Sequence, residues 1–142
     1  DYTRTKNPTR SVLEDAIAEL ESGDAGFAFS SGMAALQTVF ALFSQGDHLL
    51  VSVDLYGGTY RLLEKVMTRF GITASYVDTN DLDSLEAHRR DCTKAVLIET
   101  QINDCAALTT TQSTENINSI IDQLQAGTPD TEIILMTMNK PW

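Results

Sequence analysis

The sequence predicts an α/β fold, in which a mostly parallel sheet and its crossover helices form three layers. Short apolar runs alternate along the chain with longer segments whose apolar residues recur at helical spacing. Strands that alternate with helices pair in parallel, because each helix carries the chain back across the sheet. We therefore expect ligands at the carboxyl ends of the strands, where the following helices begin.

The first helix is expected over residues 8–21. Asn7 is a favourable N-cap, Pro8 suits the first helical position, and Gly23 follows as a C-terminal glycine should. The other expected helices span 32–43, 60–70, 81–90 and 114–124. The expected strands span 25–29, 49–53, 73–77, 94–99 and 132–136.

Length, charge and cysteine content argue against several classes of function. The 142 residues suffice for one domain, and a net charge of −10 argues against binding to nucleic acids or anionic membranes. The two cysteines, Cys92 and Cys105, have no zinc-type spacing, so no metal site is expected. The first residues carry no apolar run typical of a signal peptide, and a cytoplasmic protein is expected.

The run Ser30-Ser31-Gly32-Met33 joins an expected strand to an expected helix. Helix N-termini present unpaired N–H groups and a partial positive charge, which suit a phosphate, and serine hydroxyls add donors. The same run is also an ordinary N-cap. Tyr56 follows the next strand and can stack on an aromatic cofactor, although a tyrosine there is often a packing residue.

Several strings together resemble a known family, the pyridoxal-phosphate (PLP) enzymes of cysteine and methionine metabolism. That family includes cystathionine γ-synthase, cystathionine β- and γ-lyases, methionine γ-lyase and O-acetylhomoserine sulfhydrylases. The strings are YTRTKNPTR (2–10), LE (13–14), AFSSGMAA (28–35), GDH (46–48), DLYGGTYR (54–61), TKAV (93–96) and ET (99–100).

The resemblance implies part of the large PLP-binding domain of a fold-type I, aspartate aminotransferase-like enzyme. It covers residues 1–100 closely, whereas residues 101–142 diverge. It implies PLP as cofactor, a homodimer or homotetramer, and a small amino-acid substrate. The reaction class is elimination or replacement at Cβ or Cγ of a sulfur amino acid or an acylated homoserine.

The resemblance also implies roles for individual residues. Gly32 and Met33 would donate backbone N–H groups to the PLP phosphate, beside the Ser31 hydroxyl, and Tyr56 would stack on the pyridine ring. Asn103 would contact the ring hydroxyl. Tyr2 and Arg4 would reach across a dimer interface to the phosphate of the neighbouring subunit.

The sequence departs from the family at positions that catalysis requires. Thr137 falls where the family has the aspartate that pairs with the pyridine nitrogen, and no Ser-x-x-Lys string supplies a Schiff-base lysine. Lys140 does not match that string. We therefore expect no catalytic residue in this chain and no turnover by the chain alone.

Three alternatives stay open at this level. The chain is a partial enzyme that acts within a larger assembly, a non-catalytic phosphate- or PLP-binding module that oligomerises, or a structural remnant. Synthase and lyase chemistry are not separated. His48 and His88 are expected to be structural or solvated, since no second ligand or base is placed near either.

Overall fold

The computed structural model describes residues 2–79, 81–100, 121–122, 126 and 132–137. Contacts divide the chain into two compact units, residues 1–39 and 40–142. The elements in chain order are α1 (Pro8–Leu20), α2 (Gly32–Phe40), β1 (His48–Ser52), α3 (Gly57–Lys65), a 3₁₀ turn (Met67–Phe70), β2 (Thr73–Val77), α4 (Leu82–His88), β3 (Thr93–Thr100) and β4 (Glu132–Thr137).

Helix α1 begins as the sequence predicts. The Asn7 side chain accepts hydrogen bonds from the N–H groups of Thr9 and Arg10, and Pro8 occupies the first helical position. The end differs in detail, because Ser22 adopts the left-handed conformation (φ 54°) expected of Gly23. The Gly23 N–H then donates to the Ala18 carbonyl at 2.8 Å, which closes the end of the helix.

The expected strand at residues 25–29 is wrong. This segment has no regular secondary structure, and Phe27 and Phe29 are 77% and 44% exposed. An apolar run becomes a strand only where another strand completes its hydrogen-bond ladder, and none of the described strands pairs with it. Apolar content alone therefore predicted the wrong conformation.

The sheet confirms the α/β prediction. All three described pairings are parallel, and the strand order is β2-β1-β3-β4. Helices α3 and α4 carry the chain from β1 to β2 and from β2 to β3. The carboxyl ends of the strands, at Ser52, Val77, Thr100 and Thr137, consequently share one edge of the sheet.

The second unit holds a packed core. All five residues of β1 are buried, as expected for a central strand covered on both faces. One face of the sheet contributes a buried cluster with Leu85 of α4, formed by Leu50, Val77, Val96 and Ile98. On the other face, Tyr76 of β2 contacts Tyr60 of α3, with ring centroids 5.2 Å apart.

Most other boundaries lie within a few residues of the predictions. The helix expected over 60–70 begins earlier, at Gly57, and gives way after Lys65 to the 3₁₀ turn, which ends at Gly71 with φ 77°. Much of the helix expected over 114–124 lies outside the described residues. In the described part of the chain, no helix has the length and apolar character needed to cross a membrane.

Candidate functional site

The start of α2 presents the donors that the sequence predicts. The Ser31 side chain accepts a hydrogen bond from Ala34 N at 3.1 Å, and the Ser31 carbonyl accepts from Ala35 N at 3.1 Å. The N–H groups of Gly32 and Met33 have no acceptor among the described residues. Ser31 is therefore the N-cap of α2, and its O–H hydrogen stays available beside two free backbone donors.

The space beside Gly32 tests whether these donors fit an anion. Gly32 is exposed, and a Cβ built on it would meet no heavy atom within 4 Å from the other described residues, its chain neighbours and the nearby backbone of its own helix apart. Its φ lies outside the left-handed region, so the turn itself does not require glycine. The backbone is open where a phosphate would approach, and two N–H groups with one hydroxyl form a donor set that suits the PLP phosphate.

Tyr2 and Arg4 lie in one tight turn of the same unit. The Tyr2 carbonyl accepts from Thr5 N at 2.9 Å and from Lys6 N at 3.0 Å. The Arg4 guanidinium carbon lies 4.8 Å from the centroid of the Tyr2 ring, a cation–π distance. Tyr2 is 61% exposed, and Arg4 is exposed as well. The turn thus presents a guanidinium and a phenol together at the surface.

Tyr56 lies in the second unit, four residues after the end of β1. It occupies the N-cap position of α3 with extended backbone, its carbonyl accepts from Tyr60 N at 3.2 Å, and its side chain makes no capping hydrogen bond. The side chain is 46% exposed. Tyr56 is therefore at the carboxyl edge of the sheet, as predicted, with an accessible ring.

Thr137 is the last residue of β4 and pairs in register with Thr100 at the end of β3. The position that the resemblance gives to the family's aspartate is therefore at the carboxyl edge. Asn103, Lys140 and Cys105 lie outside the described residues, so the expectations placed on them stay predictions.

Glu99 is a buried acid that the sequence analysis did not single out. It is 3% exposed near the carboxyl end of β3, and its N–H donates to Ser52 Oγ at 3.4 Å. Its Oε2 atom has no hydrogen-bond partner among the described residues. A carboxylate that directly follows the buried apolar run Ala95–Ile98 was the signal that could have found it.

The two histidines behave as expected. His88 is exposed on α4, where its Nδ1 lies 2.8 Å from the Ser84 carbonyl oxygen of its own helix. His48 is fully buried at the amino end of β1, far along the strand from the edge where Tyr56 lies. His88 is thus solvated and His48 lies inside the sheet, which agrees with the expectation that both are structural or solvated.

His48 is held by hydroxyls from both neighbouring strands. Its Nδ1 lies 2.8 Å from Thr93 Oγ1 and its Nε2 2.9 Å from Ser75 Oγ. Arg90 donates to the same two oxygens, from its backbone N at 2.8 Å and from Nη2 at 3.2 Å. Burial first, and then the charges of Arg90 and His88, lower the pKa of His48 below its ordinary value.

An ion pair on α1 is a second feature that the sequence analysis missed. Arg10 Nε lies 3.4 Å from Glu14 Oε1, and the same oxygen accepts a hydrogen bond from Ala28 N at 2.9 Å. The i, i+4 spacing of Arg10 and Glu14 was the available signal. The bond to Ala28, 14 residues away, could not be anticipated from local spacing.

Comparison with known proteins gives one consistent family. The family model "Cys/Met metabolism PLP-dependent enzyme" matches residues 1–127. The chain is 58% identical over 103 residues to the cystathionine gamma-synthase/O-acetylhomoserine (thiol)-lyase of Bacillus subtilis, and 54% identical over 104 residues to the cystathionine gamma-synthase of Haemophilus influenzae. Each match covers 72% of this chain and 28% of the relative.

Solved structures agree with the sequence matches. The cystathionine gamma-lyase of Lactobacillus plantarum, complexed with L-serine, superposes with a TM-score of 0.75 at 45% identity, over 95% of this chain and 33% of that one. The metB structure of Corynebacterium glutamicum gives a TM-score of 0.76 at 36% identity, over 99% and 34%. The chain thus spans about a third or less of the length of these relatives. With its parallel sheet, the donors at the start of α2 and a family match over most of its length, the chain belongs to the Cys/Met metabolism PLP-dependent enzyme family.

Proposed function

We propose that this chain forms the phosphate-binding part of a PLP site in a transsulfuration-type enzyme. The reaction class is elimination or replacement at Cβ or Cγ of a sulfur amino acid or an acylated homoserine. The observation that carries the proposal is that the N–H groups of Gly32 and Met33, at the exposed start of α2, have no acceptor within the part of the chain that the structure describes. The synthases and lyases among the relatives support the reaction class.

Five residues share the contacts with the cofactor. Gly32 and Met33 donate their N–H groups, and Ser31 its hydroxyl, to the phosphate oxygens. Tyr56 stacks on the pyridine ring with its exposed side chain, and Asn103 contacts the ring hydroxyl. When bound, PLP supplies the electron sink for carbanion chemistry, and the chain supplies binding and orientation.

We further propose a homodimer or homotetramer in which Tyr2 and Arg4 serve the phosphate of the neighbouring subunit. The exposed turn that presents both side chains supports this role, because a planar guanidinium pairs well with phosphate oxygens. A cytoplasmic location and a small amino-acid substrate complete the proposal. The residues of this chain include no lysine in a Ser-x-x-Lys string, so this chain alone binds the cofactor without turnover.

The direct test uses pyridoxine 5′-phosphate, which has the ring and the phosphate but no aldehyde to react with surface lysines. The wild-type chain is expected to bind it, and inorganic phosphate is expected to compete. Gly32→Val is expected to fold, because the space beside Gly32 is open, and to bind about tenfold more weakly or worse, since a side chain there blocks the donors. Absence of wild-type binding to both probes would end the proposal.

A second variant needs a control for helix capping. Ser31→Ala removes a phosphate donor and also the cap of α2, which costs about 1 kcal/mol of stability. Asp81→Ala removes the cap of α4, where Asp81 Oδ1 accepts from Asp83 N and Ser84 N. Equal weakening of phosphate binding by both variants would mean that lost capping, rather than a lost ligand contact, explains the effect.

The ring contact can be separated from the phosphate contact. Tyr56→Ala is expected to weaken pyridoxine 5′-phosphate binding by a few fold, the scale of one aromatic stacking contact, while inorganic phosphate binds as before. Tyr56→Phe keeps the ring and is expected to bind both probes like wild type. Weakening of both probes by Tyr56→Ala would contradict the stacking role.

Mixing subunits tests the role of Arg4. If Arg4 serves the neighbour, Arg4→Gln and Gly32→Val homodimers each bind poorly, whereas a mixed dimer contains one site with both wild-type residues. Random exchange in an equimolar mixture, confirmed by mass spectrometry, makes about half of the dimers mixed and should restore about a quarter of the wild-type sites. If the subunits exchange and binding is not restored, Arg4 does not bind the phosphate of the neighbouring subunit.

A further inference from the structure

We propose that Arg10 and Glu14 of α1 are positioning residues that hold two phosphate-binding segments in place and couple them. The segments are the Tyr2–Lys6 turn, which presents Arg4, and the stretch that leads into the start of α2. The inference rests on the proposed function, since it assigns a task to residues that touch neither phosphate.

Glu14 anchors the chain that enters α2. Its Oε1 accepts from Ala28 N at 2.9 Å, three residues before the Ser31 cap. Gly26 packs against the backbone of Glu14 so closely that a Cβ at position 26 would overlap the Glu14 carbonyl oxygen. Among the described residues, the bond to Ala28 is the one hydrogen bond made by residues 24–30. With no sheet ladder in this stretch, α1 is what fixes it.

Arg10 anchors the other segment. Its Nη1 donates to the Arg4 carbonyl at 3.4 Å, while its Nε lies 3.4 Å from Glu14 Oε1. Because Asn7 caps the N–H of Arg10, the base of this side chain is fixed by the start of α1. The Arg10 guanidinium therefore spans Glu14 and the backbone of Arg4, and it leaves the Arg4 side chain free over the Tyr2 ring.

The two anchors meet at one carboxylate oxygen. The Glu14 side chain is 19% exposed and the Arg10 side chain 35%, so the pair is partly shielded from water. A movement of Glu14 changes the position of Ala28 and, through Arg10, that of the Arg4 backbone. In the proposed dimer, the start of α2 binds the phosphate of its own subunit, whereas Arg4 binds the phosphate of the neighbouring subunit. The Arg10–Glu14 pair therefore couples the two phosphate sites.

The chain offers a matched control in the Glu86–Arg89 ion pair of α4. Arg89 Nε lies 3.2 Å from Glu86 Oε2, and both residues belong to the C-terminal end of α4. Glu14→Ala removes both the charge and the acceptor for Ala28, whereas Glu14→Gln keeps an acceptor and removes the charge. Arg10→Gln loses the charged link to Glu14 and leaves the Ala28 bond in place. Glu86→Ala removes a comparable charge elsewhere.

Two measurements on the full chain test the inference. The first is binding of pyridoxine 5′-phosphate: Glu14→Ala is expected to weaken it by about tenfold, the loss typical when a residue that orients a binding group is removed. Glu14→Gln should bind with an affinity between those of Glu14→Ala and wild type, and Glu86→Ala should match wild type. The second is amide hydrogen exchange: Ala28 and Ala34, whose N–H groups are bonded to Glu14 and Ser31, should exchange faster in Glu14→Ala, and Ala28 should recover protection in Glu14→Gln.

Specific outcomes would overturn the inference. Wild-type affinity in Glu14→Ala contradicts it, and so does an equal loss in Glu86→Ala. If wild type itself binds no probe, the proposed function fails, and hydrogen exchange still decides the positioning claim: unchanged exchange at Ala28 and Ala34 in Glu14→Ala contradicts it. If Glu14→Ala does not fold, Glu14→Gln and Arg10→Gln carry the test, and wild-type binding by both counts against the inference.

Discussion

The two units of this chain differ in how far they bury their apolar residues. In residues 40–142, every residue of β1 is buried, and α3 contributes the buried Leu63. In residues 1–39, α1 has a regular apolar face, yet none of its residues is buried, and Leu20 is 79% exposed. Apolar spacing therefore predicts which face of an element can be buried, whereas packing against a neighbouring element decides whether that face is buried.

A leucine-to-alanine substitution in one helix of each unit tests this difference in burial. Leu63→Ala in α3 should lower the free energy of unfolding by about 2–5 kcal/mol, because it leaves a cavity in a packed core. Leu20→Ala in α1 should change it by less than about 0.5 kcal/mol, since its side chain is largely in water. Urea unfolding measures both, and equal losses would show that α1 is buried in solution.

The first unit is tightly packed at Gly26. Gly26→Ala should destabilise the chain by about 1–3 kcal/mol, because the new Cβ would overlap the Glu14 carbonyl oxygen and the backbone must move. Gly32→Ala is the matched control, with open space around its Cβ and a smaller expected effect. Thermal unfolding compares the two, and a silent Gly26→Ala would argue that residues 25–29 move freely from α1.

His48 gives the second unit a pH dependence. Its lowered pKa means that the unfolded chain takes up the proton more readily, so stability is full above the ordinary value of 6.5 and declines as the pH falls below it. His48→Gln should cost about 1–3 kcal/mol at pH 7.5 and flatten the profile between pH 5 and 6.5. Denaturant titrations at several pH values measure this, and a slope that persists in His48→Gln would assign it to other groups.

The smallest expected effect concerns Tyr76, whose hydroxyl donates to Glu64 Oε1 at 2.9 Å. Burial first, and then this hydrogen bond, raise the pKa of Tyr76 above its ordinary value of 10.0. The folded state therefore favours the neutral phenol, and this stabilisation is lost as the pH rises above 10. Tyr76→Phe should cost about 1 kcal/mol near neutral pH and remove that alkaline decline, which stability measurements between pH 8 and 11 would reveal.

Much of the fold was predictable because its signals are local. Asn7 and Pro8 mark the start of α1 by capping chemistry, and Gly71 ends the 3₁₀ turn by a positive φ. The strand at 73–77 coincides with β2, since its flanking glycine and polar residues bound it clearly. Such features depend on a few neighbouring residues, and the sequence contains all of them.

The candidate site also combines features that local sequence predicts with contacts that only folding creates. The unpaired donors of Gly32 and Met33 follow from the geometry of a helix start, so the sequence could predict them. The bond from Ala28 to Glu14 joins groups that lie 14 residues apart along the chain. No local pattern encodes that contact.

Residue spacing and residue type were enough to predict the alternation of strands and helices, the caps, the family and the turn at Ser31–Met33. Three features depend on the folded chain: residues 25–29 form no strand, Ser22 rather than Gly23 adopts the left-handed conformation, and Arg10 and Glu14 contact two separate segments. Hydrogen-bond ladders and ion pairs of this kind need partners brought together by folding, and only the folded chain supplies them.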